Sequence, residues 1–287
     1  MKANKYDDLD TSEFVAKVKE HMKDYKNNVI KISTSGTYKY RTEVKEYEHI
    51  LPIKYRDMNI LEKYRLDFLK SGLIKEKEWH MYSHHLNSSQ VMCINFFYPL
   101  IKEKKLDLIL QILGISDNAM ESCFEKESDL EKDNERKTNF DFYIETQRNK
   151  RIYFEIKYTE NGFGKAVNDK KHISKYMRTY KDLLQNCKAI NDNYKNESIF
   201  FDNYQILRNL IHIDDNSYVV FIYPKTNKNI RSAAEKAYNN IIVDSWKNHF
   251  ITITWEDIND KLVNIIREPE LKDYYQKEFP KKYMIDD

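Results

Sequence analysis

The chain of 287 residues contains few of the residue types that identify several protein classes. Glycine and proline number only 5 each, which excludes collagen-like and proline-rich chains. The three cysteines, Cys93, Cys123 and Cys187, are odd in number and widely spaced. We therefore expect neither a disulfide scaffold nor a zinc site, and a reducing compartment fits this cysteine content.

Long apolar runs are also missing from the sequence. No stretch approaches the roughly 18 apolar residues that a membrane-spanning helix needs. The N-terminal sequence MKANKYDDLD lacks the apolar centre of a signal peptide. We therefore expect a cytoplasmic protein with no membrane partner.

Neither sign of charge dominates the composition. The sequence has 48 Lys and Arg and 46 Asp and Glu, and the resulting formal charge of +2 is too small to indicate nucleic acid by itself. Hydrophobic residues make up 41% and charged residues 33%, which is typical of a folded rather than a disordered chain. Local patterns must therefore indicate the function.

The spacing of apolar residues predicts an α/β chain in two parts. Residues 1–86 begin with an amphipathic helix at 12–28 and form an N-terminal segment, mostly helical, whose role the sequence does not reveal. Residues 87–287 begin with one broken helix or two consecutive helices, which end at Gly114. The strands ESCFEK, NFDFYIE and RIYFEIKY follow, then a basic helical region, the buried strand YVVFIYP, a helix, the strand HFITITW and a terminal helix.

Two of these strands carry charged residues at alternating positions. Glu155 and Lys157 alternate with apolar residues in RIYFEIKY, and Asp141 lies between Phe140 and Phe142 in NFDFYIE. Because successive side chains of a strand point to opposite faces, we expect one face of each strand to meet the core and the other to carry charge.

The connection between the two strands decides whether their carboxylates meet. Directly opposed residues of an antiparallel pair share a face of the sheet. A two-residue turn would oppose Asp141 to Ile156, on the wrong face. We therefore predict an odd-length connection, or a bulge, that sets Asp141 opposite Glu155 or Lys157.

Such a cluster has a chemical use. Two neighbouring carboxylates repel each other and invite a divalent cation, and Mg²⁺ typically takes one or two carboxylates and keeps several waters. The cation polarises a phosphodiester and lowers the pKa of an attacking water, which Lys157 is able to orient. The structural alternative is a solvated sheet face on which Lys157 pairs with a carboxylate.

The pattern of Asp141 followed by Glu155 and Lys157 resembles the signature of the PD-(D/E)XK nuclease superfamily, with Phe140 in place of the usual proline. The blocks HLNSSQVMCINFF, TNFDFYI, YFEIKYTENGFG and YQILRNL also look like a group of bacterial restriction-endonuclease-like proteins. The resemblance implies that Asp141 and Glu155 are metal ligands and that Lys157 is the catalytic lysine.

The same resemblance implies a fold. The predicted order of helix, three strands, helix and strand is similar to the αβββαβ core of that superfamily over roughly residues 87–255. We therefore expect a restriction-endonuclease-like α/β fold in which helices flank a central mixed sheet, so that residues 87–287 form the nuclease-like domain.

Supporting residues are also implied by the resemblance. Many members of the superfamily add an acidic or polar residue to the site, and Gln90 or Glu125 corresponds to it here. The implied role of Glu125 is a further metal ligand, and that of Gln90 is a DNA contact. Gln205 is then a further catalytic residue, and Arg208 contacts a phosphate about one helical turn later. An ordinary polar helix face explains Gln205 and Arg208 equally well.

A basic stretch follows directly after the proposed site and contains Lys165, Lys170, Lys171, Lys175 and Arg178. Its cations either follow the phosphates of a nucleic acid, with Lys165 as a contact, or form a solvated helix face.

These patterns, together with the resemblance, predict a metal-dependent endonuclease that hydrolyses DNA with Mg²⁺ or Mn²⁺. A role in restriction or another defence process is implied by the resemblance alone. One alternative is a catalytically silent nucleic-acid-binding module of the same fold. Another is a protein-interaction domain with an incidental charged hairpin. The sequence leaves a homodimer open and does not reveal which bases are recognised.

Overall fold

A computed structural model describes the residues 11–40, 42–75, 78–132 and 137–285, with only the backbone of Tyr40. Internal contacts divide the chain into two compact units. Among the described residues, the first unit holds those up to Ser116, the short segment Pro224–Asn227, and those from Trp255 onward. The second unit holds Asp117–Tyr223 and Lys228–Thr254.

Helices occur in both units. In chain order they are α1 (Thr11–Tyr25), α2 (Glu62–Ser71), α3 (Ser89–Lys102), α4 (Asp107–Ile112), α5 (Lys170–Lys175), α6 (Lys181–Asn186), α7 (Glu197–Asp202), α8 (Tyr204–Leu210), α9 (Lys228–Lys236), α10 (Trp255–Ile265), α11 (Pro269–Asp273) and α12 (Phe279–Tyr283). Within the described residues, no helix has the length and apolar character needed to cross a membrane.

Strands likewise occur in both units. In chain order they are β1 (Gly36–Tyr40), β2 (Glu43–Tyr47), β3 (Ala119–Glu127), β4 (Asn139–Thr146), β5 (Arg151–Ile156), β6 (Ser217–Tyr223) and β7 (Phe250–Thr254). The pair β1–β2 is an antiparallel hairpin of the first unit. The sequence analysis did not find this hairpin, because its charged, Tyr-rich residues show little alternation of apolar and polar side chains.

The first unit confirms several predicted helices. Phe14, Val18 and Met22 are buried at four-residue spacing on α1, as the amphipathic pattern indicates. Ser88 caps α3, since its Oγ accepts a hydrogen bond from the backbone nitrogen of Val91. Because α3 belongs to this unit, the compact units divide elsewhere than at residue 86. The predicted domain boundary stays a prediction.

The second unit is built on a mixed sheet in the order β3-β4-β5-β6-β7. The strands β3, β4 and β5 pair antiparallel, whereas β5, β6 and β7 pair parallel. This arrangement confirms the predicted strands and the mixed α/β sheet with flanking helices. It is compatible with a restriction-endonuclease-like fold.

Both faces of this sheet are buried. On one face Tyr143, Tyr153 and Phe221 belong to a core to which residues of α6, α7, α8 and α9 also contribute. On the other face Phe142 and Phe154 are fully buried. The expectation that only one face meets the core is therefore wrong, because helices also cover the face that carries the charged residues.

Phe140 departs from the predicted alternation. Its ring centre lies 4.7 Å from that of Tyr153 and 4.9 Å from that of His212. Phe140 therefore packs on the same face of the sheet as Tyr153, whereas alternation predicts the opposite face. The alternation fails here because Glu125, at the position of β3 that would oppose Asp141, has a left-handed backbone with φ of 55°.

Candidate active site

The hairpin between β4 and β5 sets the register of the candidate site. The paired register ends at Phe142 and Phe154, and continuing it by one position sets Asp141 against Glu155. The backbone nitrogen of Thr146 donates to the carbonyl of Lys150 at 2.9 Å and closes a three-residue loop. The predicted odd-length connection is therefore confirmed.

The last residue of this loop, Asn149, explains the loop length. Its backbone lies in the left-handed region with φ of 57°, and its nitrogen donates to the carbonyl of Thr146 at 2.9 Å. Asparagine tolerates this conformation better than most residues, which makes a three-residue turn accessible here.

Asp141 is partly buried beside other carboxylates. Its Oδ2 accepts a hydrogen bond from the backbone nitrogen of Ile156 at 2.7 Å. Burial and the negative charges of Glu155 and Glu125 raise the pKa of Asp141 well above its ordinary value, although Lys157 and the Ile156 nitrogen act in the opposite direction. The site therefore concentrates negative charge that a cation would neutralise.

The carboxylate of Glu155 is only 3% exposed and is held by three side chains. Its Oε1 accepts hydrogen bonds from Lys157 Nζ and from Gln205 Nε2, each at 2.7 Å. Its Oε2 accepts one from Asn209 Nδ2 at 2.9 Å. We call Asp141, Glu155, Lys157, Gln205 and Asn209 the candidate cluster.

Lys157 is held at the end of β5. Its backbone nitrogen donates to the carbonyl of Ile222 at 2.9 Å, which extends the pairing with β6. Burial alone would lower the pKa of Lys157, but the negative charges of Glu155, Glu160 and Asp141 outweigh it and raise the pKa. Lys157 is therefore a cation in this site.

Gln205 joins the two charged side chains to a nearby loop. Its Oε1 lies 3.3 Å from Lys157 Nζ and accepts a hydrogen bond from the backbone nitrogen of Gly164 at 3.0 Å. The side chain thus contacts Lys157 through its oxygen and Glu155 through its nitrogen. The structure brings this predicted helper residue together with the predicted lysine and glutamate.

The negative charge of Glu125 contributes to the raised pKa of Asp141. The Glu125 carboxylate accepts a hydrogen bond from the side-chain amide of Asn139. Among the described residues, no group of three or more His, Cys, Asp or Glu side chains is arranged to hold a metal ion. Glu125 as a third metal ligand stays a prediction.

The predicted DNA contacts occupy different places. Lys165 and Arg208 line one cavity of the second unit. Gln90 belongs to the first unit, where its Oε1 accepts from the backbone nitrogen of His80 and its Nε2 donates to the carbonyl of Glu78, each at 2.9 Å. The role of Gln90 as a DNA contact stays a prediction.

Asn209 and Glu131 are two residues near the site that the sequence patterns did not indicate. Asn209 follows Gln205 by four residues on α8, and this helical spacing places both amides on one side of the helix. Glu131 is 1% exposed, accepts from the hydroxyl of Tyr180 at 2.8 Å, and lies 3.7 Å from Arg208 Nη2. No local sequence pattern places Tyr180 or Arg208 beside Glu131, because both residues are distant from it in the chain.

Comparisons with known proteins give one informative result. No curated protein matches the chain significantly. No solved structure matches it significantly either. The pattern of a restriction-endonuclease family matches over nearly the whole chain, from residue 9 to residue 284. The chain therefore belongs to the family described as restriction endonuclease associating with ARP.

Proposed function

We propose that this protein is a metal-dependent endonuclease that hydrolyses DNA phosphodiester bonds in restriction or another defence role, as a PD-(D/E)XK-type enzyme. The observation that carries the proposal is the contact of the Lys157 ammonium with Glu155 at 2.7 Å, next to Asp141 on the paired strand. Membership of a restriction-endonuclease family supports the same reaction class.

The donor set fits a hard divalent cation. Asp141 and Glu155 are two neighbouring carboxylates, and Mg²⁺ typically takes one or two carboxylates and completes its shell with water. Burial, together with the negative charges of Glu155 and Glu125, raises the pKa of Asp141, and a bound divalent cation would favour its ionised form. When bound, Mg²⁺ or Mn²⁺ would polarise the phosphodiester and lower the pKa of the attacking water.

The side chains of the candidate cluster have separate roles in this proposal. Lys157 orients the attacking water and offsets negative charge that develops on the phosphate. Gln205 and Asn209 hold both oxygens of Glu155 in fixed directions through their amide nitrogens. Such supporting hydrogen bonds keep a ligand carboxylate in position when a cation binds.

Cleavage assays with several substrates test the proposal. The purified full chain is incubated with supercoiled plasmid, linear duplex and single-stranded DNA, with Mg²⁺, with Mn²⁺ or with chelator. We expect cleavage of DNA that requires one of the cations and is lost in Asp141→Ala and Lys157→Ala.

Two results would overturn the proposal. Cleavage that continues in chelator excludes the metal-dependent reaction. Binding of DNA without cleavage of any substrate, with either cation, supports a catalytically silent nucleic-acid-binding module instead. The same preparations run on a sizing column test whether the protein is a homodimer.

A further inference from the structure

A cavity of about 670 Å³ lies beside the candidate cluster in the second unit. We call it the cationic pocket. The basic side chains that line it are Lys137, Lys165, Lys171, His172, Lys175 and Arg208. Among the described residues of its lining, none is an aspartate or a glutamate. This composition favours an anionic ligand with more than one negative charge.

Arg208 brings a guanidinium group to the lining of the cationic pocket. Its guanidinium lies between the rings of Tyr204 and Tyr180, at 4.8 and 5.3 Å from their centres. Its Nε and Nη2 have no hydrogen-bond partner in the structure, and Glu131 at 3.7 Å is too distant to fill one. These two nitrogens are buried and do not reach the surface of the cavity, so Arg208 contributes its positive charge to the lining, and a guanidinium is suited to phosphate.

Lys175 adds a second cation that is only 7% exposed. Its ammonium lies 5.6 Å from the centre of the Tyr180 ring, so the two buried cations share one aromatic neighbour. Clustered cations at low exposure repel each other and lose hydration. A bound anion would reduce the repulsion between them.

The cationic pocket is continuous with the candidate cluster. Gln205 and Asn209 both line the pocket, and both donate hydrogen bonds to Glu155. A ligand in the pocket therefore lies next to the residues proposed to act on the phosphodiester. The volume of the pocket is in the range of cavities that bind small organic ligands, so a whole nucleotide fits.

We propose that the cationic pocket binds the terminal phosphate monoester of a DNA strand. A monoester carries up to two negative charges, whereas each internal phosphodiester carries one, so the monoester gains more from a positive lining. Carboxylates outside the lining contact three of its basic side chains: Asp202 contacts Lys165, Asp169 contacts His172 and Glu131 contacts Arg208. The choice of a DNA strand as the source of the phosphate rests on the proposed function. A free nucleotide carries the same group and is included in the test.

Binding without cleavage tests this proposal. The full chain with Asp141→Asn is titrated in chelator against fluorescent oligonucleotides of one sequence that carry a 5′-phosphate, a 3′-phosphate or only hydroxyl ends. We expect at least about tenfold tighter binding of one phosphorylated form, equivalent to roughly 1.4 kcal/mol. Deoxyadenosine monophosphate should compete, and deoxyadenosine should not.

Variants of residues that line the pocket test whether the preference for a phosphorylated strand arises there. Lys171→Ala and Lys137→Ala, combined in one protein, should remove the preference for the phosphorylated strand. Lys170→Ala is the matched control, because Lys170 precedes Lys171 on α5 and is not part of the lining. Arg208→Met should also remove this preference. The double lysine variant provides the same test if Arg208→Met does not fold.

Two results contradict the pocket assignment. They are equal affinity for phosphorylated and unphosphorylated strands, and a preference that survives the loss of Lys137 and Lys171. If the wild-type protein nevertheless cuts DNA, only the pocket assignment fails. If one phosphorylated strand is preferred but no DNA is cut, the pocket assignment stands and the proposed function fails.

Discussion

The carboxylate of Asp141 accepts a hydrogen bond from the backbone nitrogen of Ile156, the residue between Glu155 and Lys157. This contact ties the side chain of one strand to the end of its neighbour. It therefore fixes Asp141 relative to both charged residues of β5. The hairpin loop determines which residue of β5 lies opposite Asp141, so changes in that loop bear on the site directly.

The first prediction concerns Asn149, the left-handed residue of the loop. Asn149→Val should lower the free energy of unfolding by about 1 to 2 kcal/mol, because a β-branched side chain is strained at positive φ. Asn149→Gly should leave stability equal or higher. Urea unfolding of the three proteins measures this, and an unchanged midpoint in Asn149→Val contradicts the role given to the loop.

The second prediction concerns Gln205, which contacts both Glu155 and Lys157. Gln205→Leu should slow DNA cleavage by about 10 to 100-fold, as is typical when a supporting hydrogen bond to a metal ligand is removed. The metal concentration needed for half-maximal rate should rise, a change that loss of fold alone does not produce. Gln185→Leu on α6 is the control and should cleave at the wild-type rate.

The third prediction concerns the buried carboxylate of Glu131. Glu131→Gln should lower the free energy of unfolding by about 3 kcal/mol, because the charge of Arg208 then lies in the interior without its partner. The double variant Glu131→Gln with Arg208→Met should recover part of this loss. Chemical denaturation of the single and double variants measures the coupling, and strictly additive losses would contradict it.

The fourth prediction concerns His49 in the first unit. Burial, with the charges of Lys19 and Lys26, lowers the pKa of His49 from 6.5 to about 4. Between these values the unfolded chain binds a proton that the folded chain does not, so stability falls as the pH is lowered through this window. Above it, both states are neutral and the effect disappears.

His49→Gln should therefore flatten the pH dependence of unfolding. The expected change reaches about 3 kcal/mol at the acid end of the window, at roughly 1.4 kcal/mol per pKa unit. Urea unfolding at a series of pH values between about 4 and 7 measures the slope. Equal slopes in wild type and His49→Gln would show that another group governs acid unfolding.

Local patterns in the sequence predicted much of the second unit. Alternation gave β4 and β5, and the requirement that carboxylates share a face predicted the odd connection. The alternation failed at Phe140, because the left-handed backbone of Glu125 on the neighbouring strand interrupts it. That irregularity depends on strand pairing, which a single strand does not encode.

The candidate site was predicted only in part. Strand geometry alone predicted that Asp141 lies near Glu155 and Lys157, because the three residues are close in sequence. The family resemblance implied the role of Gln205. Asn209 was not predicted, because Arg208 was expected to be the functional residue one helical turn after Gln205. The three-dimensional spacing shows that the fourth residue after Gln205, not the third, reaches Glu155.

The most direct test of the central claim is the rate of Mg²⁺-dependent cleavage of one plasmid by four proteins under identical conditions. They are the wild type, Asp141→Asn, Lys157→Met and Glu145→Gln. Glu145 is a matched control, because it lies on β4 and contacts the hydroxyl of Tyr143 outside the candidate cluster. We predict losses of at least about 100-fold for the first two variants and none for Glu145→Gln. Equal cleavage rates in all four proteins would contradict the assignment of the site.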